Sequence, residues 1–115
     1  MNDAVRFNCA VDGVMSVIGG KWKSTILCLL LQNEKLRFSQ LRRMIPPISP
    51  RILSKQLKEL VDDGIVLREE PAAGPHHVEY SITEKGRSLR PVLECMADWG
   101  LENLTNPVIP IEDGP

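Results

Sequence analysis

The apolar positions of this chain recur first at helical spacing, then alternate, then return to helical spacing. Val11, Val14, Met15 and Ile18 lie three and four apart and predict a helix over 10–18, stopped by Gly19-Gly20. A second helix is predicted over 21–32. Its apolar residues, Trp22, Ile26, Leu27, Leu29, Leu30 and Leu31, form a band wide enough to be buried on more than one side. Ser39 reads as the N-cap of a short helix to Ile45, which Pro46-Pro47 ends. Ser49-Pro50 is a stronger start signal, a capping hydroxyl followed by a ring that already holds the helical φ. The helix that follows is predicted to reach Asp63 and stop at Gly64. Ile65 to Glu70 and Val78 to Ile82 read as strands around a hairpin loop, Pro71-Ala72-Ala73-Gly74-Pro75-His76-His77. Thr83 caps a last helix that should run to about Leu104 and kink at Pro91. Residues 105–115 contain three prolines and are expected to form a loosely ordered tail.

Two short helices around a proline-rich turn make a helix-turn-helix, and the hairpin behind them makes a wing. The predicted fold is mainly α with a small β-hairpin, a winged helix-turn-helix. Residues 1–104 form its single domain, since 115 residues suit one domain of about 100–150. The longest apolar run, Ile26 to Leu31, is six residues against the roughly 20 of a spanning helix. No apolar stretch of signal-peptide length follows Asp3 and Arg6, so a cytoplasmic location is expected, with no membrane partner. The three cysteines, Cys9, Cys28 and Cys95, are too few for a disulfide framework and should be free thiols.

Charge sharpens the picture. The net charge is only −1, yet the 24 residues from Lys35 to Lys58 hold seven basic residues and no acid. The other 91 positions carry the remaining seven basic residues and all fifteen acids. A basic segment in a near-neutral chain points to a local anionic partner. The 49–63 helix shows how that charge would be used. Leu53, Leu57, Leu60 and Val61 make its core stripe. Arg51, Ser54, Lys55 and Lys58 recur at i, i+3, i+4 and i+7 on the other side. One apolar stripe and one donor stripe are what a helix in a DNA major groove requires, where Arg pairs bidentately with guanine edges. Arg42 and Arg43 on the preceding helix are placed to clamp the backbone. Arg37, Ser39 and Ser49 add donors at the ends of the two helices, and Arg68, His76 and His77 lie in or beside the wing.

Nine short motifs then resemble the HxlR-type winged-helix transcriptional regulators, which have a MarR-like fold. They are Cys9-Ala10-Val11, Gly19-Gly20-Lys21-Trp22, Arg37-Phe38-Ser39-Gln40-Leu41, Ile48-Ser49-Pro50-Arg51-Ile52-Leu53, Leu57-Lys58-Glu59-Leu60, Asp63-Gly64-Ile65-Val66, Val78-Glu79-Tyr80, Thr83-Glu84-Lys85-Gly86 and Trp99-Gly100. They cover residues 9 to 100 in the family's order and spacing. The resemblance implies a homodimeric repressor or activator that binds double-stranded DNA and dimerises through its first and last helices. Val11, Val14, Leu89, Val92, Met96 and Trp99 are the interface candidates. The last helix supports this independently, because its stripe, which also takes in Leu93, Cys95 and Leu104, is too broad for one contact surface. A two-fold dimer implies a pseudo-palindromic operator.

Cys9 stands where the first helix is predicted to begin. There the helix dipole, with Arg6 nearby, would favour a thiolate. In the resembled family an N-terminal cysteine serves several members as an oxidant or electrophile sensor, which implies a redox-sensing role for Cys9. Cys28, inside the apolar run, reads as an inert core residue. A non-covalent small-molecule effector between the 21–32 helix, the last helix and the dimer partner is an alternative signal. A winged helix that docks on protein instead of DNA is the alternative function. No catalytic motif of P-loop, GxGxxG, GxSxG or HExxH type is present, so no enzyme and no cofactor are expected. Adjacent His76 and His77 point to opposite faces of an extended strand, and no metal site is expected.

Overall fold

The computed structural model describes residues 3–72, 74 and 77–104, with side chains from Asn8 onward. His76, the 105–115 tail and the Arg6 side chain lie outside the described residues. The elements run α1 (Asp3–Ile18), α2 (Lys23–Gln32), β1 (Leu36–Arg37), α3 (Phe38–Met44), α4 (Pro50–Asp62), β2 (Val66–Glu69), β3 (Glu79–Ile82), α5 (Glu84–Arg87) and α6 (Arg90–Asn103). The sheet is antiparallel in the order β1-β3-β2, so the predicted hairpin is joined by a third strand. That strand is two residues long and pairs Leu36 with Tyr80 and Arg37 with Glu79. This is a winged helix-turn-helix, mostly helical with a small sheet.

α2 is the centre of the core. Ile26, Leu27, Leu29 and Leu30 are all buried, and α2 packs against α1, α4, α6 and β3, as its wide apolar band requires. Leu53, Leu57 and Leu60 of α4 close the core from below, with Leu41, Ile45 and Ile48 from α3 and the turn. Lys23, only 7% exposed, reaches Glu59 of α4 at 2.8 Å and ties the two helices together. Glu59 is held below the usual carboxylate range, first by its hydrogen bond from Lys23. Among the described residues no single helix is long and apolar enough to cross a membrane. Asn8–Ile18 and α2 pass such a test only as a pair bent by 72°.

The ends of α4 follow their sequence signals. Ser49 Oγ accepts from Ile52 N at 3.1 Å, and Pro50 opens the first turn. At the other end Ile65 N donates to Leu60 O and Gly64 N to Val61 O, the paired closing bonds of a Schellman motif. Gly64 supplies the positive φ of 76° that this motif needs. Thr83 then clamps the exit. Its hydroxyl lies 2.7 Å from Gly64 O and 3.0 Å from Ile65 O as donor, and accepts from Gly86 N at 3.0 Å. Gly86 sits so close to Ile65 O and the Ile82 side chain that an added Cβ would collide with both.

Several predicted boundaries move. α1 begins at Asp3 rather than Ala10, because no breaker separates them. Ser39 is not the cap of α3. Arg37 is the N-cap, and Gln40 Oε1 accepts from its backbone N–H at 2.8 Å. Pro91 does not kink one long helix. The chain breaks after Arg87 and restarts at Arg90. Proline lacks the N–H that would bond to the carbonyl four residues earlier, which is that of Arg87, and its ring crowds the same carbonyl. Arg90 then donates to Leu31 O at 2.8 Å, fastening the new helix to the end of α2.

Candidate nucleic-acid interface

α4 is firmly seated below and open above. With Leu53, Leu57 and Leu60 buried, Arg51, Ser54, Lys55 and Lys58 are all exposed along the opposite side. Nothing in the described structure covers Arg51 or Lys55. Lys58 is differently placed: its ammonium lies 2.9 Å from Asp62 Oδ2 one turn on, and that hydrogen bond pushes its pKa up. Among the described residues the helix presents two cations with no ion pair near its N-terminal half and one already engaged near its end.

α3 adds a second basic surface. Arg42 and Arg43 are exposed in its last turn, and with Ser39 and Phe38 they line a hollow of about 410 Å³. Ser39, although not a cap, is exposed on this surface. Ser49 is an exposed cap at the base of α4, its hydroxyl committed to the backbone. Arg37 is exposed at the end of β1, with Glu79 as its cross-strand partner.

The wing carries a mixed charge. Arg68 on β2 is exposed, 3.9 Å from Glu70 Oε2. Glu69 and Glu79 stand directly opposite each other, an unfavourable pair. Lys35 offsets it by approaching Glu69 at 3.6 Å. His77 is half-buried at the base of the loop, and His76 lies outside the described residues. Among the described residues Arg42, Arg43, Arg51 and Lys55 have no carboxylate at ion-pair distance, although Lys55 helps to lower the Glu59 carboxyl one turn on, whereas Lys58 and Arg68 come with an acid beside them. Tyr80, which the sequence offers only within a family motif, stands opposite Arg68 on β3. The signal available for it was an aromatic within an alternating strand run.

A second surface is apolar. Val11, Val14 and Met15 are exposed on α1, and Val92, Met96, Trp99, Leu101 and Leu104 are exposed on or just after α6. Leu89 is half-buried. Leu93 departs from the expected stripe: it is buried at 8% exposure and belongs to the core.

The thiols are not where the sequence suggested. Cys9 is exposed, but it lies well inside α1, so the dipole of a helix N-terminus does not act on it. Cys28 is not a core residue. It is at the surface of α2, lining a groove of about 190 Å³ with Leu31, Arg90 and Leu93, and partial burial there pushes its thiol pKa up. Cys95 is exposed on α6. Among the described residues no three His, Cys, Asp or Glu side chains come together as a metal site.

Comparison with known proteins gives a consistent result. Residues 17–107 match the HxlR-like helix-turn-helix family. A helix-turn-helix transcriptional regulator of Methanothermobacter thermautotrophicus, itself uncharacterised, is 46% identical over 95 residues, 83% of this chain and 72% of that one. The redox regulator HypR in its reduced form is 45% identical, with a TM-score of 0.77 over 82% of this chain and 92% of its own. The reduced form of the transcriptional regulator YodB from B. subtilis is 29% identical, with a TM-score of 0.73 over 84% of this chain and 94% of its own.

Proposed function

We propose, since this chain belongs to the HxlR-like helix-turn-helix family of transcriptional regulators, that it binds a pseudo-palindromic duplex as a homodimer and changes that binding through its Cys9 thiol. The observation that carries the DNA reading is the division of α4 into a buried leucine stripe and an exposed stripe of Arg51, Ser54, Lys55 and Lys58. In the major groove Arg51 would meet base edges and Lys55 phosphates or bases. Arg42 and Arg43 would hold the backbone beside it, and Ser39, Ser49, Arg37, Arg68 and His77 would contribute at the margins. A docking helix for protein has no need of the acid-free 24 residues from Lys35 to Lys58. The homodimer reading rests on the exposed apolar residues Val11, Val14, Val92, Met96 and Trp99, with half-buried Leu89 beside them. A symmetric partner would bury the same patch of both chains.

Cys9 is exposed on the helix that also carries Val11 and Val14, so a change at its sulfur would act at the proposed dimer face. Two Cys9 thiols, one from each chain, would lose two electrons and two protons to an oxidant and form one S–S bond. That bond would alter the separation of the two α4 helices. The relative HypR, described as a redox regulator, favours a thiol signal over a non-covalent ligand.

The test is a gel shift on the duplex upstream of the chain's own gene, run reduced, then after a mild thiol oxidant, with Cys9→Ser beside it. Binding that responds to oxidant only when Cys9 is present is the expected result. Binding that ignores the oxidant removes Cys9 as the switch and keeps the regulator. Absence of binding in every lane, with non-specific duplex giving the same result, removes the DNA reading.

A further inference from the structure

Between α4 and the sheet lies a cleft of about 230 Å³ lined by Ser54, Lys58, Val61, Arg68 and Tyr80. Arg68 and Tyr80 are direct cross-strand partners, so both side chains leave the same face of the sheet. Ser54, Lys58 and Val61 are spaced i, i+4 and i+7, one stripe of α4 turned toward that face. Tyr80 is largely buried, while Lys58 and Arg68 are exposed. The cleft therefore has an aromatic floor and two cations near its mouth.

Its chemistry is one-sided. Every polar side chain on the wall can donate: two hydroxyls, an ammonium and a guanidinium. No carboxylate lines it. The acids that accompany its cations stand outside the lining: Asp62 at 2.9 Å from Lys58 and Glu70 at 3.9 Å from Arg68. At about 30 Å³ for each water, the space holds several waters or one tetrahedral oxyanion. Such a wall suits an anion with several oxygens better than a cation.

We infer that this cleft seats one backbone phosphate of the duplex whose major groove α4 enters, with Tyr80 and Ser54 donating through their hydroxyls and Arg68 through its guanidinium. The inference rests on the DNA-binding reading and adds Tyr80 to it as a positioning residue. Lys58 turns from Asp62 to the same phosphate on binding. The contact carries no sequence information. It fixes how deeply α4 enters the groove and how the wing lies over the backbone.

The experiment measures affinity by fluorescence anisotropy across a range of salt concentrations. The probes are the duplex upstream of the chain's own gene and a scrambled duplex of equal length. Arg68→Gln is expected to reduce the magnitude of the log–log salt slope by about 0.9 on both duplexes, the loss of one ionic contact. Tyr80→Phe is expected to weaken binding to both by about tenfold, the scale of a hydrogen bond to a charged group, and to leave the slope unchanged. A Tyr80 that only supports the fold would instead lower the melting temperature and leave the affinity of folded protein intact, which overturns its assignment. Should Tyr80→Phe fail to fold, Ser54→Ala takes its place in the comparison. Sodium phosphate is compared with sodium chloride at equal ionic strength as competitor. Equal displacement of duplex is the expected result, since the seat is completed by the docked duplex, and stronger displacement by phosphate makes it a free-anion site and overturns the assignment. Wild-type affinity and slope in both variants, with Arg51→Ala losing binding, overturns the cleft and keeps α4. Flat salt dependence in the wild type overturns both.

Discussion

α4 and α6 are nearly equal in length, 13 and 14 residues, and they are finished to different degrees. α4 buries three leucines and turns its cations outward, so its leucine stripe and its donor stripe each have a suitable environment within one chain. α6 buries only Leu93 and leaves Val92, Met96 and Trp99 in solvent, Trp99 at 62% exposure. The first helix is held by its leucine stripe in the core and by the Lys23–Glu59 pair. The second has an apolar face that the described residues leave uncovered. What this teaches is a division of labour: the proposed reading element is preformed, whereas the element that would set the spacing of two such readers would be completed by the proposed association.

The comparison breaks most severely at the core stripe. Leu57→Ala is expected to cost about 2–5 kcal/mol of folding stability, measured by urea denaturation, because Leu57 is 1% exposed. Trp99→Ala tests the other helix. It is expected to weaken the dimer by at least about 2 kcal/mol, a hot-spot effect, with little change in the unfolding of the monomer. Sedimentation velocity over a concentration series reads the first quantity, and an unchanged sedimentation coefficient at micromolar protein would place the interface elsewhere.

Arg51→Ala sharpens the contrast, since it should leave folding and dimerisation alone and cost about 1–3 kcal/mol in operator binding. Lys55→Ala is expected to weaken specific and non-specific duplexes alike if it meets phosphate. Ser49→Ala has the smallest effect, about 1 kcal/mol of stability, through loss of the bond to Ile52 N. A melting curve with no change for this variant would mean that water replaces the cap.

The difference between the two helices also explains what was legible in the sequence. α4 was readable because its limits are local: Ser49-Pro50 starts it and Gly64 stops it. Its two stripes need only 3.6 residues per turn to be seen. β1 was not readable, because a two-residue strand exists only by pairing with Glu79 and Tyr80, more than forty residues away. Pro91 was read at its own position, although its effect falls on the carbonyl of Arg87. The apolar run around Cys28 conceals its outward place when taken as a block. Thr25, Cys28 and Gln32 recur three and four apart, and that weaker periodicity is the one marking the outer side of α2. Cys9 was placed at a helix start because Ala10 opens the visible pattern, whereas the helix extends back to Asp3. In the candidate interface, donors were legible and their partners were not. Asp62 beside Lys58 is four residues away, but Glu69 beside Lys35 depends on the sheet.

The central claim is that two α4 helices, held by one apolar interface, read one duplex. It is tested most directly by titrating the upstream duplex with protein well above the dissociation constant, at two or more salt concentrations. The expected result is a breakpoint at two chains per duplex. The log–log salt slope should correspond to several phosphate contacts, each contributing about 0.9. A breakpoint at one chain per duplex, or a slope near zero, would contradict it.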